Sequence, residues 1–336
     1  MKSPSAGGGP KPPGSPGVYP VLPSGPMPSD VLALAGGLVL LVAAAHFLVR
    51  GAAALALRFG LSPLVVGLTV VAFGTSAPEL VVSVQAALGG QGGIAVGNVV
   101  GSNIANIGLI LGAAALVRPV IADPAVLRRD LPVLLGATAA GALVLYDRDV
   151  GRVEGALLVA ALGVYLAWSV REARRQRAAV DLGAPTGPAW RDAASVALGL
   201  GGLVVGADLF VRGAVGLAEA AGVSNAVIGL TVVAFGTSLP ELATSVVAAV
   251  RGESEIAVGN VVGSNLFNVL GILGVAALVR PVVAPGLEAV DLAVMAAFAV
   301  AVVPMLASGQ RLVRAEAGLL AAGYVAYVGY LVAQHG

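Results

Sequence analysis

The chain has 336 residues, of which 58% are hydrophobic and 11% charged, with a formal net charge of +1. A soluble domain needs roughly a quarter charged residues to coat its surface, so most of this surface must face something apolar; the near-neutral balance gives no footing for a nucleic-acid partner. Without cysteine there are no disulfides, thiolate metal sites or cysteine nucleophiles, and two histidines, His46 and His335, are too few for a histidine metal cluster.

Met1–Ser29 is rich in Pro, Gly and Ser and lacks periodicity, so residues 1–30 read as a disordered tail. It has no compact basic stretch of the kind that opens a secretory signal, and the apolar segment Val31–Val49 is therefore read as a retained first span. Ten apolar segments follow at 31–57, 62–88, 93–117, 126–146, 152–172, 193–219, 224–250, 255–279, 288–307 and 313–333. Most run near twenty residues or more, enough for a helix to cross a hydrocarbon core of about 30 Å. They predict an all-α integral membrane protein of about ten transmembrane helices, with a basic linker at 173–192.

The chain is two copies of one unit. GLTVVAFGTSAPEL at Gly67–Leu80 returns as GLTVVAFGTSLPEL at Gly229–Leu242, and AVGNVVGSNIAN at Ala95–Asn106 returns as AVGNVVGSNLFN at Ala257–Asn268. The offset is 162 in both cases, and about 32 of the 46 positions from 67 to 112 match their partners. Weaker matches pair FLVRGA at Phe47 with LFVRGA at Leu209, LVRPV at Leu116 with LVRPV at Leu278, and Arg152 and Glu154 with Arg314 and Glu316. The first repeat is 31–172 and the second 193–336, with five spans each. An odd number of spans forces the second copy to enter the bilayer from the opposite side, an inverted-topology repeat. With the termini outside, about 13 of the 19 Lys and Arg lie on the cytoplasmic side of the cell membrane, including Arg171, Arg174, Arg175, Arg177 and Arg191 of the linker region.

Within each copy the second span is interrupted by F-G-T-S-x-P-E-L. Gly74 and Gly236 permit unusual backbone angles, and Pro78 and Pro240 favour a fresh helix start. A break at membrane depth is tolerated only where it is buried in protein or lines a cavity. Freed carbonyls and the Thr and Ser hydroxyls are hard oxygen ligands suited to sodium or calcium. Ser76–Glu79 and Ser238–Glu241 also fit the S-x-x-E capping box, in which the glutamate only satisfies a helix start. An ionised carboxylate at the bilayer centre costs about 3 kcal/mol or more unless neutralised, and glutamine would cap without that penalty, so an ion site is the stronger reading. In G-N-V-V-G-S-N, Gly97, Gly101, Gly259 and Gly263 offer small surfaces for close helix packing, while Ser102, Asn106, Ser264 and Asn268 face the site.

These motifs resemble the alpha-repeats of the calcium/cation antiporter superfamily, specifically its sodium/calcium exchanger branch, over residues 31–333. The resemblance implies ten helices in two inverted halves around four central ion sites. It implies side-chain ligands at Thr75, Ser76, Glu79, Ser102 and Asn106, with Thr237, Ser238, Glu241, Ser264 and Asn268 from the second copy. The backbone carbonyls of Ala72 and Ala234 would add to these, and Glu79, Glu241, Thr75 and Thr237 would form the metal-binding centre. Some relatives carry aspartate where this chain has Asn268, an acid associated with potassium use, so asparagine argues against potassium coupling. Residues 97–103 and 259–265 lack the extra glutamate of proton-coupled relatives. Calcium and sodium are then cargo, the lipid bilayer is the surroundings, and no cofactor or enzymatic activity is implied. The expectation is a sodium/calcium antiporter working by alternating access; the alternative is a proton-coupled antiporter for calcium or another divalent cation.

Outside the motifs, His46 and Asp208 occupy equivalent positions, and Asp208 is expected to pair with Arg212 one turn on. Trp168, Tyr324, Tyr327 and Tyr330 read as packing or interfacial anchors.

Overall fold

A computed structural model describes residues 28–177, 188–223 and 234–335. Most of the expected tail, the central part of the linker (178–187) and the opening of the seventh span (224–233) lie outside the described residues. The helices are α1 (Pro28–Phe59), α2 (Pro63–Thr75), α3 (Ala77–Leu88), α4 (Gly92–Val117), α5 (126–144), α6 (Arg152–Arg177), α7 (Ala189–Ala220), α8 (Leu239–Arg251), α9 (Ser254–Val279), α10 (Ala289–Ala307) and α11 (Arg314–His335). Among the described residues seven are long and apolar enough to cross a bilayer, and α2 with α3, bent by 47° at their junction, makes an eighth. The other two expected spans are α5, whose first turn carries Arg128, Arg129 and Asp130, and the seventh, represented by Ala234–Gly236 and α8. The linker is shorter than expected: α6 continues to Arg177 because no proline or glycine interrupts residues 164–182.

Opposed directions of equivalent helices are visible in the packing. α1 and α7, which correspond under the 162-residue offset, lie against each other antiparallel. Gly37 meets Gly206 and Phe210, Gly199 meets Leu48, and Gly51 meets Asp192 and Ser195. A Cβ added at Gly199 would lie 2.6 Å from the Leu48 amide nitrogen, so only glycine lets the two backbones approach this closely. Arg58 closes one end of the pair on Asp192 at 2.8 Å.

Four two-residue strands repeat the exchange. β1 (Val120–Ile121) pairs antiparallel with β4 (Arg311–Leu312), and β2 (Asp149–Val150) with β3 (Val282–Val283). β1 corresponds to β3 and β2 to β4, so each pair joins one repeat to the other. Arginines do the same at helix ends. Arg118 donates to the Val250 carbonyl of α8, and its equivalent Arg280 donates to the Leu88 carbonyl of α3 at 2.8 Å. Arg152 reaches Leu278 and its equivalent Arg314 reaches Leu116 and Val117. Each guanidinium satisfies carbonyls that a helix C-terminus leaves free and complements its negative dipole end.

α4 and α9 are the most enclosed spans, while α1, α7, α10 and α11 turn most of their surface outward. Leu32, Leu143, Leu157, Leu198 and Leu319 are among the exposed apolar residues, as a lipid-facing surface requires. Trp168 lies beneath the Arg129 guanidinium, which pairs with the buried Asp130; Tyr165 donates to the same carboxylate at 3.0 Å. Tyr327 and Tyr330 donate to Asp291 and Glu288, so these anchors tie α11 to the start of α10 through their hydroxyls.

Candidate cation site

α2 ends at Thr75, Ser76 leaves helical geometry (φ −82°, ψ 6°), and α3 restarts with Pro78 in its first turn. Ser238 has nearly the same angles (φ −88°, ψ 3°), and α8 restarts with Pro240 in its first turn. Proline suits that position because the amide it lacks would have no helical partner there. Neither serine side chain caps its own helix. Ser76 Oγ instead donates to Glu241 Oε1 at 2.9 Å, and Ser238 Oγ donates to Glu79 Oε1 at 3.3 Å. The capping box is therefore present as a sequence and unused as a cap: each serine serves the glutamate of the other repeat.

Glu79 and Glu241 are 2% and 1% exposed, and their carboxylates repel one another. Each has a second oxygen, Glu79 Oε2 and Glu241 Oε2, with no hydrogen-bond partner among the described residues. The amide oxygens of Asn106 and Asn268 are buried and equally unpartnered. Leaving an ionised carboxylate oxygen buried without a partner is costly, and a cation is what would offset it.

Of the other expected ligands, Ser264 and Thr75 make contacts within this buried cluster. Ser264 Oγ lies 3.0 Å from Ser76 Oγ, and Thr75 Oγ1 donates to Asn260 Oδ1 at 3.0 Å. Ser102 is buried and Thr237 half-buried. The Ala72 carbonyl accepts from the Ser76 amide at 3.0 Å and lies 3.3 Å from the Thr75 hydroxyl. Ala234 opens the short Ala234–Gly236 helical piece. Helical geometry loosens beside the site: π-helical turns occupy Gly67–Val71, Asn106–Leu111 and Phe267–Ile272. Such turns recur at functional sites because they re-aim side chains and free backbone groups.

Sequence reasoning missed a supporting layer. Asn98 Nδ2 donates to the Glu79 carbonyl and to Ser83 Oγ; its equivalent Asn260 Nδ2 donates to the Glu241 carbonyl and to Ser245 Oγ. Asn268 Nδ2 donates to Asn103 Oδ1 at 3.0 Å, and Asn106 Nδ2 to Asn265 Oδ1 at 3.4 Å. The signal was available in part, since every one of these asparagines stands at a matched position of the repeat. Gly259 and Gly263 pack as expected, against Leu64, Leu68 and Ala72. His46 lies 3.0 Å from Arg251 of α8, and Asp208 pairs with Arg212 at 3.0 Å as expected, both on exposed surface.

Among the described residues no group of three His, Cys, Asp or Glu is placed to hold a metal ion. The donors here are two carboxylates with hydroxyl and amide oxygens, a hard-oxygen set suited to sodium or calcium rather than to softer metals.

The family pattern described as sodium/calcium exchanger protein matches residues 29–171 and 192–333. The sodium/calcium exchanger MaX1 of Methanosarcina acetivorans is 33% identical, over 89% of this chain and 97% of its own length. The inner membrane protein YrbG of Escherichia coli is 40% identical, over 73% of this chain and 78% of its own. A solved structure of the sodium-calcium exchanger NCX_Mj superposes with a TM-score of 0.80 at 34% identity, covering 90% of this chain and 99% of that one. With its apolar spans and internal repeat, the chain is a multi-pass membrane protein that belongs to the sodium/calcium exchanger family.

Proposed function

We propose that this chain is a secondary antiporter exchanging sodium for calcium by alternating access, at a site centred on Glu79 and Glu241. The observation that carries this reading is the crossed arrangement of the two carboxylates. Each is buried, held on one oxygen by a serine of the other repeat, and unpartnered on its second oxygen among the described residues.

Shared charge gives the coupling. Two carboxylates balance one calcium ion or a set of sodium ions, but not both sets together, so the ions compete for the same oxygens. An empty pair of buried negative charges disfavours any rearrangement that would carry it through the low-dielectric interior. The inverted packing of α1 against α7 supports a rocking or sliding change in which the repeats exchange roles about the site. Thr75, Ser76, Ser102 and Asn106, with Thr237, Ser238, Ser264 and Asn268, would complete the oxygen set, and the Ala72 and Ala234 carbonyls would join it, Ala72 once released from the Ser76 amide. The arginine distribution supports termini outside and the basic 173–192 segment, helical at both its ends, on the cytoplasmic side.

Calcium uptake into sodium-loaded proteoliposomes tests the reading. Uptake that requires the sodium gradient supports it; uptake driven equally by a proton gradient without sodium would assign proton coupling instead.

A further inference from the structure

Asparagine is an ambiguous cation ligand. Its amide presents an oxygen to one side and an NH2 to the other, and a half-turn about the last side-chain torsion exchanges them. For Asn106 and Asn268 to offer oxygen to a cation, something must hold their NH2 groups away from it. Asn103 and Asn265 stand where that is done. All four are buried, at 1–2% exposure. They pair across the repeats in antiparallel register, Asn268 Nδ2 on Asn103 Oδ1 at 3.0 Å and Asn106 Nδ2 on Asn265 Oδ1 at 3.4 Å. In both pairs Oδ1 of Asn106 or Asn268 is the atom left without a partner among the described residues.

We infer that Asn103 and Asn265 are positioning residues that fix the amide orientation of Asn268 and Asn106, so that oxygen and never NH2 faces the transported cation. This deepens the proposed function and rests on Asn106 and Asn268 being cargo ligands. The two locks are unequal. Asn103 is itself oriented, its own NH2 lying 3.8 Å from Met295 Sδ on α10, whereas Asn265 Nδ2 has no partner among the described residues. The Asn103 lock is thus shorter and better supported.

The inference makes an unusual demand: the need for Asn103 disappears if the ligand has no wrong way round. Aspartate at 268 presents oxygen on both sides. Sodium-driven calcium uptake is therefore measured for the natural protein, Asn103→Leu, Asn268→Asp and the double variant, with folding checked by gel filtration and melting. Asn103→Leu is expected to raise the calcium KM about fivefold, the scale of a lost amide–amide hydrogen bond, with maximal rate little changed. In the Asn268→Asp background the same change is expected to move KM by less than about twofold, a strong coupling in the double-mutant cycle. An unchanged KM in Asn103→Leu, or an equal penalty in both backgrounds, overturns the inference and leaves Asn103 a packing residue. Should Asn103→Leu fail to fold, Asn265→Leu with Asn106→Asp carries the same test with a smaller expected effect. Asn268→Leu separates the two levels: if it leaves KM unchanged, the ligand reading itself fails; if it damages KM while Asn103→Leu does not, only the positioning role fails.

Discussion

Ser76 donates its hydroxyl hydrogen bond to Glu241 across the repeat boundary at 2.9 Å, although Glu79 stands only three residues further along its own chain. The equivalent contact, Ser238 to Glu79, is longer at 3.3 Å, and Ser76 has the additional hydroxyl of Ser264 at 3.0 Å. A hydrogen bond to a charged group contributes roughly 1.5–3 kcal/mol, at its lower end about tenfold in binding. Ser76→Ala is accordingly expected to raise the calcium KM about tenfold, and Ser238→Ala by less. If the serines acted only as helix caps, the melting temperature would fall in both variants and the calcium KM would stay put.

Relative motion of α1 and α8 is testable because the chain has no native cysteine. His46 of α1 touches Arg251 of α8, and Ala44 of α1 lies within 2.8 Å of a Cβ built at Gly202 of α7. If α1 and α7 move as a unit against the central helices, a reducible bifunctional thiol cross-linker, long enough to replace the two side chains that meet there, joins His46→Cys to Arg251→Cys and stops transport, and reduction restores it. A disulfide between Ala44→Cys and Gly202→Cys leaves transport running. Arrest by the second pair and not the first would contradict that division of the molecule.

Asn260 links Thr75, the Glu241 carbonyl and Ser245, and its equivalent Asn98 links the Glu79 carbonyl and Ser83. Removing a buried amide strands the groups it satisfied, at about 1–3 kcal/mol each. Asn260→Leu and Asn98→Leu are each expected to lower the melting temperature of purified protein, and an unchanged melting temperature in either would count against this supporting role.

Arg118 and Arg280 cap α8 and α3 at their ends remote from the glutamates. Charge–dipole capping at an exposed helix end contributes about 0.3–1 kcal/mol. Arg280→Ala should therefore cost a small amount of thermal stability and leave the calcium KM unchanged. A large change in KM would mean that the cap sets the position of Glu79.

Much of this architecture was legible in the sequence because identical residues recur at one offset: the spans, the inversion and both glutamates follow from it. The contacts of the recurring residues were not legible. Ser76 and Glu79 look like a capping box until the antiparallel placement of equivalent helices brings Glu241 to the serine. The same exchange pairs Asn103 with Asn268 and β1 with β4, relationships that no local pattern carries. Repeat equivalence also fails where neighbours differ: His46 meets Arg251 of the other copy, while Asp208 finds Arg212 on its own helix. The helix running on to Arg177 was obscured by its charge, which reads as a loop although nothing in it breaks a helix.

The central claim is that Glu79 and Glu241 together hold the transported ions. Its most direct test is radioactive calcium uptake into sodium-loaded proteoliposomes by the natural protein and by Glu79→Gln and Glu241→Gln, each confirmed folded. Glutamine keeps the shape and the serine contact but removes the charge, so sodium-dependent uptake is expected in the natural protein and its loss in both variants. Undiminished uptake by either variant would contradict the account.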